Sequence, residues 1–494
     1  MQVPEAMFYA KLVLLLAAVT LLACPLVKSS PVNFVGSQQA EDVVTASVGC
    51  EVGNFSQFRD ALAHASKYRS TYDRRPCVTS RGKATVTLKC TGTYTRGNGG
   101  LIQLDPVIKD WAIVTNCVNA GHQKDIMIDF APSNFDTDRV AVMAAAGPGN
   151  TFRMKDLQFV FNGKSGAGAC KDDKPCAVIR VEGFKSVSFE NVGINTYNAV
   201  ISSSMPASGK HIKGAHTIKL DTVKVSSVAE HGILVEDGGE VEATDVSAGG
   251  CGKDGVHYTG CYQGTRAGIS FRKGSFSING NSGLWMDCDF AHAPLASSAV
   301  PVAITNVSFY RNAAHGMWLR GSFEVTLKGG IVMDNGVKSP ALCGGGVRVI
   351  LRNTADVKTS LVVDGTKLTR NRAKYGGGIC FQSRLADGVS GPSYQQSLLK
   401  LTGNPWLKDN KAEVCGGGMA TIGNMVTERM AIAIDKGVEI SGNRADKGKT
   451  WCDILPAQDD DGATTLDNFK SIWFTESQDK RRALRQILAA HPAA

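Results

Sequence analysis

The residues able to do chemistry concentrate in the middle of the chain. His257, Trp285, Trp318 and Arg348 hold the second place in successive short apolar segments, Glu236, Asp287 and Arg320 hold the fourth, and Asp289 lies just beyond. Tryptophan faces suit stacking on sugar rings, and arginines suit planar pairing with uronate or sulfate groups. Histidine or a carboxylate could move a proton. Asp287 and Glu236 would serve a glycosidase if held about 5 to 9.5 Å apart. A lyase or epimerase would instead use Arg320 or Arg348 to neutralise a substrate carboxylate and His257 as the base. Against these stands a plainer reading, in which the tryptophans are packing and the charges a solvated face.

What positions these residues is a repeat. Its first-strand members begin at Ala177, Ala199, Ile233, Val256, Leu284, Met317, Val347, Ile379 and Met419, with starts 22 to 40 residues apart. A minimal turn of three strands fills the shorter spacing and loops fill the surplus. Second strands follow at Glu240, Ala303, Phe323, Leu361 and Ala431. Third strands end in Asn at Phe309–Asn312, Leu368–Asn371, Leu407–Asn410 and Ile440–Asn443. Those asparagines predict a stacked ladder, with Asn tolerating a left-handed corner and glycine opening the bend that follows. Gly344–Gly346, Gly376–Gly378 and Gly416–Gly418 occupy such corners, as do His231-Gly232, Asp254-Gly255 and His315-Gly316, which gives His231 and His315 a corner hydrogen-bond role. No Gly-Lys-Ser/Thr follows the glycines, so they are not a phosphate loop. If the first residue of each strand faces inward, the second and fourth face out, and adjacent coils lie about 4.8 Å apart.

With this register the chain resembles the pectin-lyase-like right-handed parallel β-helix superfamily over roughly residues 99 to 456. Tyr375-Gly-Gly-Gly-Ile379 and Phe309-Tyr-Arg-Asn312 also resemble the repeats of chlamydial polymorphic outer-membrane proteins, over about 300 to 450. The resemblance implies an all-β, single-stranded parallel β-helix of about ten coils with helical caps. It implies no activity. The polygalacturonase, pectate-lyase and epimerase catalytic signatures are missing, and no C-terminal run of barrel strands suggests an autotransporter.

Composition agrees with a turn-rich β protein: 54 glycines in 494 residues and only 7% aromatic side chains. A net charge of +9 favours anionic partners. Nucleic-acid signatures are lacking, and Lys480-Arg481-Arg482 reads as a helix face, so an acidic polysaccharide or cell-wall glycan is the expected partner. Residues 12–27 form an apolar run of signal-peptide length behind Lys11, with cleavage expected after Ser29 and no membrane span in the mature, monomeric chain. Fourteen cysteines fit an oxidising, extracellular or cell-surface compartment. Cys170 with Cys176 and Cys251 with Cys261 are candidate local bridges; the thirteen cysteines beyond the leader leave at least one thiol over, and no CxxC pair indicates zinc. Asn54 and Asn306 begin glycosylation sequons. Glu236 and Asp237 could contribute to calcium binding, although no complete calcium loop is present.

The expected organisation is a signal peptide at 1–29, a capping region with a short helix at 30–98, coils at 99–456, and at 457–494 an acidic loop, Asp459–Asp461, leading to a helical cap over Glu476–Ala490. Two functional expectations follow. One is a secreted β-helix that binds, and cleaves or epimerises, an acidic polysaccharide along the Trp285/Trp318 strip. The other is a non-enzymatic surface or matrix adhesin, a rigid rod.

Overall fold

In this computed structural model the described residues run from 49 to 474, interrupted at 72–73, 80–81, 97–101, 116–125, 131–140, 161–176, 196–207, 261–267, 289–298, 354–356, 386–396, 423–429, 436, 447–450 and 455–471. The signal-peptide run, Cys170, Cys176, Cys261, Asp289 and the C-terminal helical segment fall outside them. No helix among the described residues is long and apolar enough to cross a membrane.

The chain winds as a right-handed parallel β-helix whose coils present three strands each, all paired in parallel. Along the first sheet the pairing runs Ile102, Met143, Ile179, Lys210, Ile233, Val256, Leu284, Met317, Val347, Ile379, Met419, Trp451, which makes twelve rungs among the described residues. From Ile233 to Met419 this is the register expected from the repeat. Before it, two adjustments appear. Ile179, two places after Ala177, holds the rung position, and the next rung is Ser208–Lys213 in place of the one expected at Ala199, a segment that lies outside the described residues. Ile126–Phe130 joins the third sheet by pairing with Leu157–Val160. Parallel pairing also begins well before residue 99, where Cys50–Asn54 lies along Lys83–Arg96.

Alternation of apolar residues explains the core. Val241, Ile269, Val302, Val325, Leu361 and Leu399 stack inward on the second sheet, and Phe276, Phe309, Val332, Leu368 and Leu407 on the third. Each is buried, and each such burial stabilises the coil by about 1.5 to 3 kcal/mol. A helix, α1, at Phe55–Ala63 buries Phe55, Phe58, Ala61 and Leu62 against the first strands. Asn54 is its N-cap, with its side-chain oxygen accepting from Gln57 N at 3.0 Å. A disulfide ties Cys50, in the first strand, to Cys77.

The asparagine ladder is longer than the four expected members. Asn279, Asn312, Asn335, Asn371, Asn410 and Asn443 form one row, each Nδ2 donating to the next Oδ1 at 2.9 to 3.0 Å. The same oxygens accept the backbone N–H of the preceding member, and each Nδ2 also donates to a strand carbonyl one coil back, as Asn371 does to Val332 O. The left-handed residue at this corner is not the asparagine. It is the residue before it: Ile278, Arg311, Asp334, Arg370, Asp409 and Gly442. The corner glycines serve a different need as well. A Cβ on Gly316 would sit 2.7 Å from Gly346 O and 3.0 Å from Asn335 Nδ2, and Gly346 is likewise confined by Gly378 O and Asn371. Glycine is required there by close approach to the ladder, whereas Gly344, Gly376 and Gly416, which open the triplets, do take positive φ.

Candidate functional site

The outward columns of the first sheet assemble as the register requires. His257 pairs with Trp285, Trp285 with Trp318, and Trp318 with Arg348; in the fourth-place column Glu236, Thr259, Asp287 and Arg320 are consecutive. The aromatic rings form a continuous row of tilted and edge-to-face contacts, with centroids 4.2 Å apart for His231–His257, 3.9 Å for His257–Trp285 and 4.9 Å for Trp285–Trp318. Guanidinium carbons of Arg320 and Arg348 lie 5.5 and 6.0 Å from the Trp318 ring, within cation–π range.

Solvent exposure along this strip departs from the expected open face. Trp318 is only 8% exposed, His257 7%, and Cys380 and Ala420 further along are fully buried. The glycine corners fold over the outward column: Gly344 lies against Arg348, and Gly376 and Gly416 against Ala420. Cys380 is bonded to Cys343, in the short strand Ala341–Cys343 of a separate four-stranded sheet. Trp285 remains partly exposed.

Asp254, which the sequence marks only as a corner residue, organises the buried end of the strip. Its Oδ2 lies 2.8 Å from His257 Nδ1 and 3.2 Å from His231 Nδ1, the second contact being off the direction of a well-formed hydrogen bond. Its Oδ1 accepts from Asn281 Nδ2 at 2.8 Å and Ser282 N at 2.9 Å. Burial to 1% exposure opposes ionisation, but the two imidazoles facing the carboxylate more than offset it and hold Asp254 well below the usual carboxylate range. Burial is also the main reason that His257 is shifted down, against the raising influence of Asp254. An ionised Asp254 fixes the His257 proton on Nδ1 and leaves Nε2 as the basic nitrogen. His231 therefore belongs to this cluster rather than acting as a corner hydrogen bonder. His315 does have that corner role, through Nδ1 and Gly344 O at 2.8 Å, and desolvation pushes it down to about 4.

The ligand atoms of His231, Asp254 and His257 lie within 4.8 Å of one another, close enough for two imidazoles and a carboxylate to hold a transition metal. As arranged, both nitrogens face one carboxylate oxygen. Elsewhere the candidate acids are engaged. Asp287 receives a two-point contact from Arg320, Nε to Oδ1 at 3.0 Å and a terminal nitrogen to Oδ2 at 2.5 Å. Glu236 lies 3.7 Å from Lys213 Nζ, a neighbour that opposes calcium at Glu236–Asp237. Cys251 is a free, buried thiol rather than half of a bridge to Cys261, and its own pKa is pushed up to about 12 by burial. It stands in the ladder column, its N–H donating to Asn279 Oδ1. Asn306, the second sequon asparagine, is in the left-handed region against Gly329.

Residues 186–384 match the model of the right-handed beta helix region. No curated protein matches the chain in sequence. Among solved structures it is similar to the A-module of the Azotobacter vinelandii mannuronan C-5 epimerase AlgE4, at 15% identity and a TM-score of 0.40, over 76% of this chain and 91% of that one. It is similar also to tailspike protein 3 of bacteriophage CBA120, at 14% identity and a TM-score of 0.40, over 93% of this chain and 68% of that one. By its own strand pairing, together with the match over its central coils, the chain has the fold of a right-handed parallel β-helix.

Proposed function

We propose that this protein works outside the cell and binds an acidic polysaccharide along the Trp285/Trp318 strip. The observation that carries this reading is the unbroken row from His257 through Trp285 and Trp318 to Arg320 and Arg348, which combines ring faces for sugars with planar cations for acidic groups. The disulfides Cys50–Cys77 and Cys343–Cys380 agree with an oxidising compartment. Binding is favoured over turnover because Asp287 and Glu236 are each occupied by a basic neighbour. The remaining group placed for proton transfer is His257, oriented by Asp254.

A second reading, a rigid scaffold without a glycan site, draws on the burial of Trp318 and the closure of Arg320 onto Asp287. A panel of acidic polysaccharides separates the two, with binding, reducing ends, unsaturated-uronate absorbance and uronate configuration all measured. The binding reading requires that Trp285→Ala with Trp318→Ala, the fold intact, lose affinity. Unchanged affinity would reject the strip, and turnover lost on His257→Gln would turn the binding reading into an enzymatic one.

A further inference from the structure

A second charged surface lies on another corner of the coils, beside the asparagine ladder. A groove of about 640 Å³ opens there, lined by six cationic side chains and two carboxylates. Two columns build it. The left-handed residues immediately before the ladder asparagines alternate in sign: Arg311, Asp334, Arg370, Asp409. The residues immediately after them do not. Arg372, Lys411 and Arg444 pair in register on three successive coils, so three like charges are stacked at the spacing of a parallel sheet.

Like charges placed directly opposite destabilise a sheet. The fold does not demand them, because the same position on earlier coils is occupied by Gly280, Ala313 and Gly336. Within the stack Lys411 reaches Asp446 at 3.0 Å, and in the alternating column Arg370 is held two-fold by Asp334 at 2.8 and 3.0 Å. Beneath both columns the ladder fixes the backbone through Asn371, Asn410 and Asn443, so the groove is rigid before any ligand arrives.

We propose that this groove is a binding site for a carboxylated or sulfated polysaccharide laid along the helix axis. Such a chain presents an acidic group on each ring, at a repeat close to the rise of one coil, and hydroxyl donors between them. The cation stack receives the acidic groups, and Asp334 and Asp409 accept from the hydroxyls. A nucleic acid fits less well, since its continuous phosphates would face those two carboxylates and no aromatic ring lines the groove to stack on a base. The site stands independently of the Trp285/Trp318 strip.

The test uses fluorescein-labelled polygalacturonate and dextran sulfate, with neutral dextran and duplex DNA as comparisons, titrated against the Trp285→Ala/Trp318→Ala protein so that the strip contributes nothing. Salt-sensitive binding of the two acidic glycans is expected, weakened about tenfold or more by Arg372→Gln/Lys411→Gln/Arg444→Gln. Relief of like-charge repulsion should leave the thermal midpoint of that variant unlowered, and Arg372→Glu alone gives a second, minimal disruption. Equal affinity in the parent and both variants, no binding at all, or tighter binding of the duplex than of polygalacturonate at one ionic strength would each overturn the proposal.

Discussion

His257 Nδ1 lies 2.8 Å from Asp254 Oδ2, a contact made across three residues at one corner of the coil and shielded almost wholly from solvent. Asp254→Ala would leave Ser282 N–H, Asn281 and His257 without their acceptor in a buried setting. We expect a loss of about 3 kcal/mol or more in chemical denaturation. Nitrogen NMR of the imidazole should report Nδ1 protonation in the parent and a mixed tautomer in the variant. An unchanged tautomer would contradict the orienting role of Asp254.

Stability should depend on pH through the buried imidazoles. His315 is held down at about 4, against an ordinary value of 6.5, because desolvation penalises its charged form. Between those values the unfolded chain binds the proton and the folded chain does not. The stabilisation is therefore complete above about pH 6.5 and falls as the pH drops toward 4, by ~3 kcal/mol from this residue. His257, also shifted down, acts in the same direction. Asp254, held low, adds its own loss only as the pH falls below the unfolded carboxylate range. Urea midpoints measured across this window should decline with acidification, and His315→Gln should flatten the profile.

Within the ladder, each asparagine serves two coils. Asn371→Ala removes the acceptor of Asn335 N–H and Nδ2 together with two donations from its own amide, and should cost about 3 kcal/mol or more. Gly316→Ala should be harmful by overpacking, by about 1 to 3 kcal/mol, since its Cβ would press on Gly346 O, Val332 and Asn335. Denaturation midpoints compared with a surface control such as Lys338→Ala check both.

Cys251 offers the opposite experiment. Its buried thiol, pushed up to about 12, should resist disulfide reagents in the native protein and react once the chain unfolds. Because it occupies a ladder position, Cys251→Asn should add a further rung, with Oδ1 facing Val228 N and Nδ2 facing Asn279 Oδ1. Stability is expected to hold or to rise by about 1 kcal/mol. A large loss would show that the column cannot extend past Asn279.

Much of this architecture was legible in particular residues. The pairing of His257 with Trp285, Trp318 and Arg348 follows from apolar residues at fixed offsets, which leave a parallel sheet one usable register. Lys210 at a first-place position hides the Ser208–Lys213 rung, because a charge there breaks the apolar pattern that marks the others. Phe276–Asn279 and Val332–Asn335 both carry the Φ-x-x-Asn signal, so these two rungs of the ladder were legible in the same pattern as the other four. Burial of Trp318 was not legible. Alternation tells which side of a strand a residue faces, and the side chains that pack on Trp318 from that side, Trp285 and Arg348, stand on the neighbouring coils. Asp254 escaped for a related reason, since its partners stand on three different coils.

The ladder has one more consequence, which concerns how such a chain can change length. Every asparagine is tied to the coil on each side, so a residue gained or lost between the third strand and its asparagine would break several bonds at once. The corner between the first and second strands varies in length: Ser322 alone joins Gly321 to Phe323, while residues 288–299 join Asp287 to Val300. Insertions and deletions are thereby kept out of the ladder and fall either past it, where Ala341–Cys343 stands between Asn335 and Val347, or at the edge between the first and second strands. That edge adjoins Asp287 and Arg320, so new sequence can accumulate beside the aromatic strip without disturbing the count of the coils.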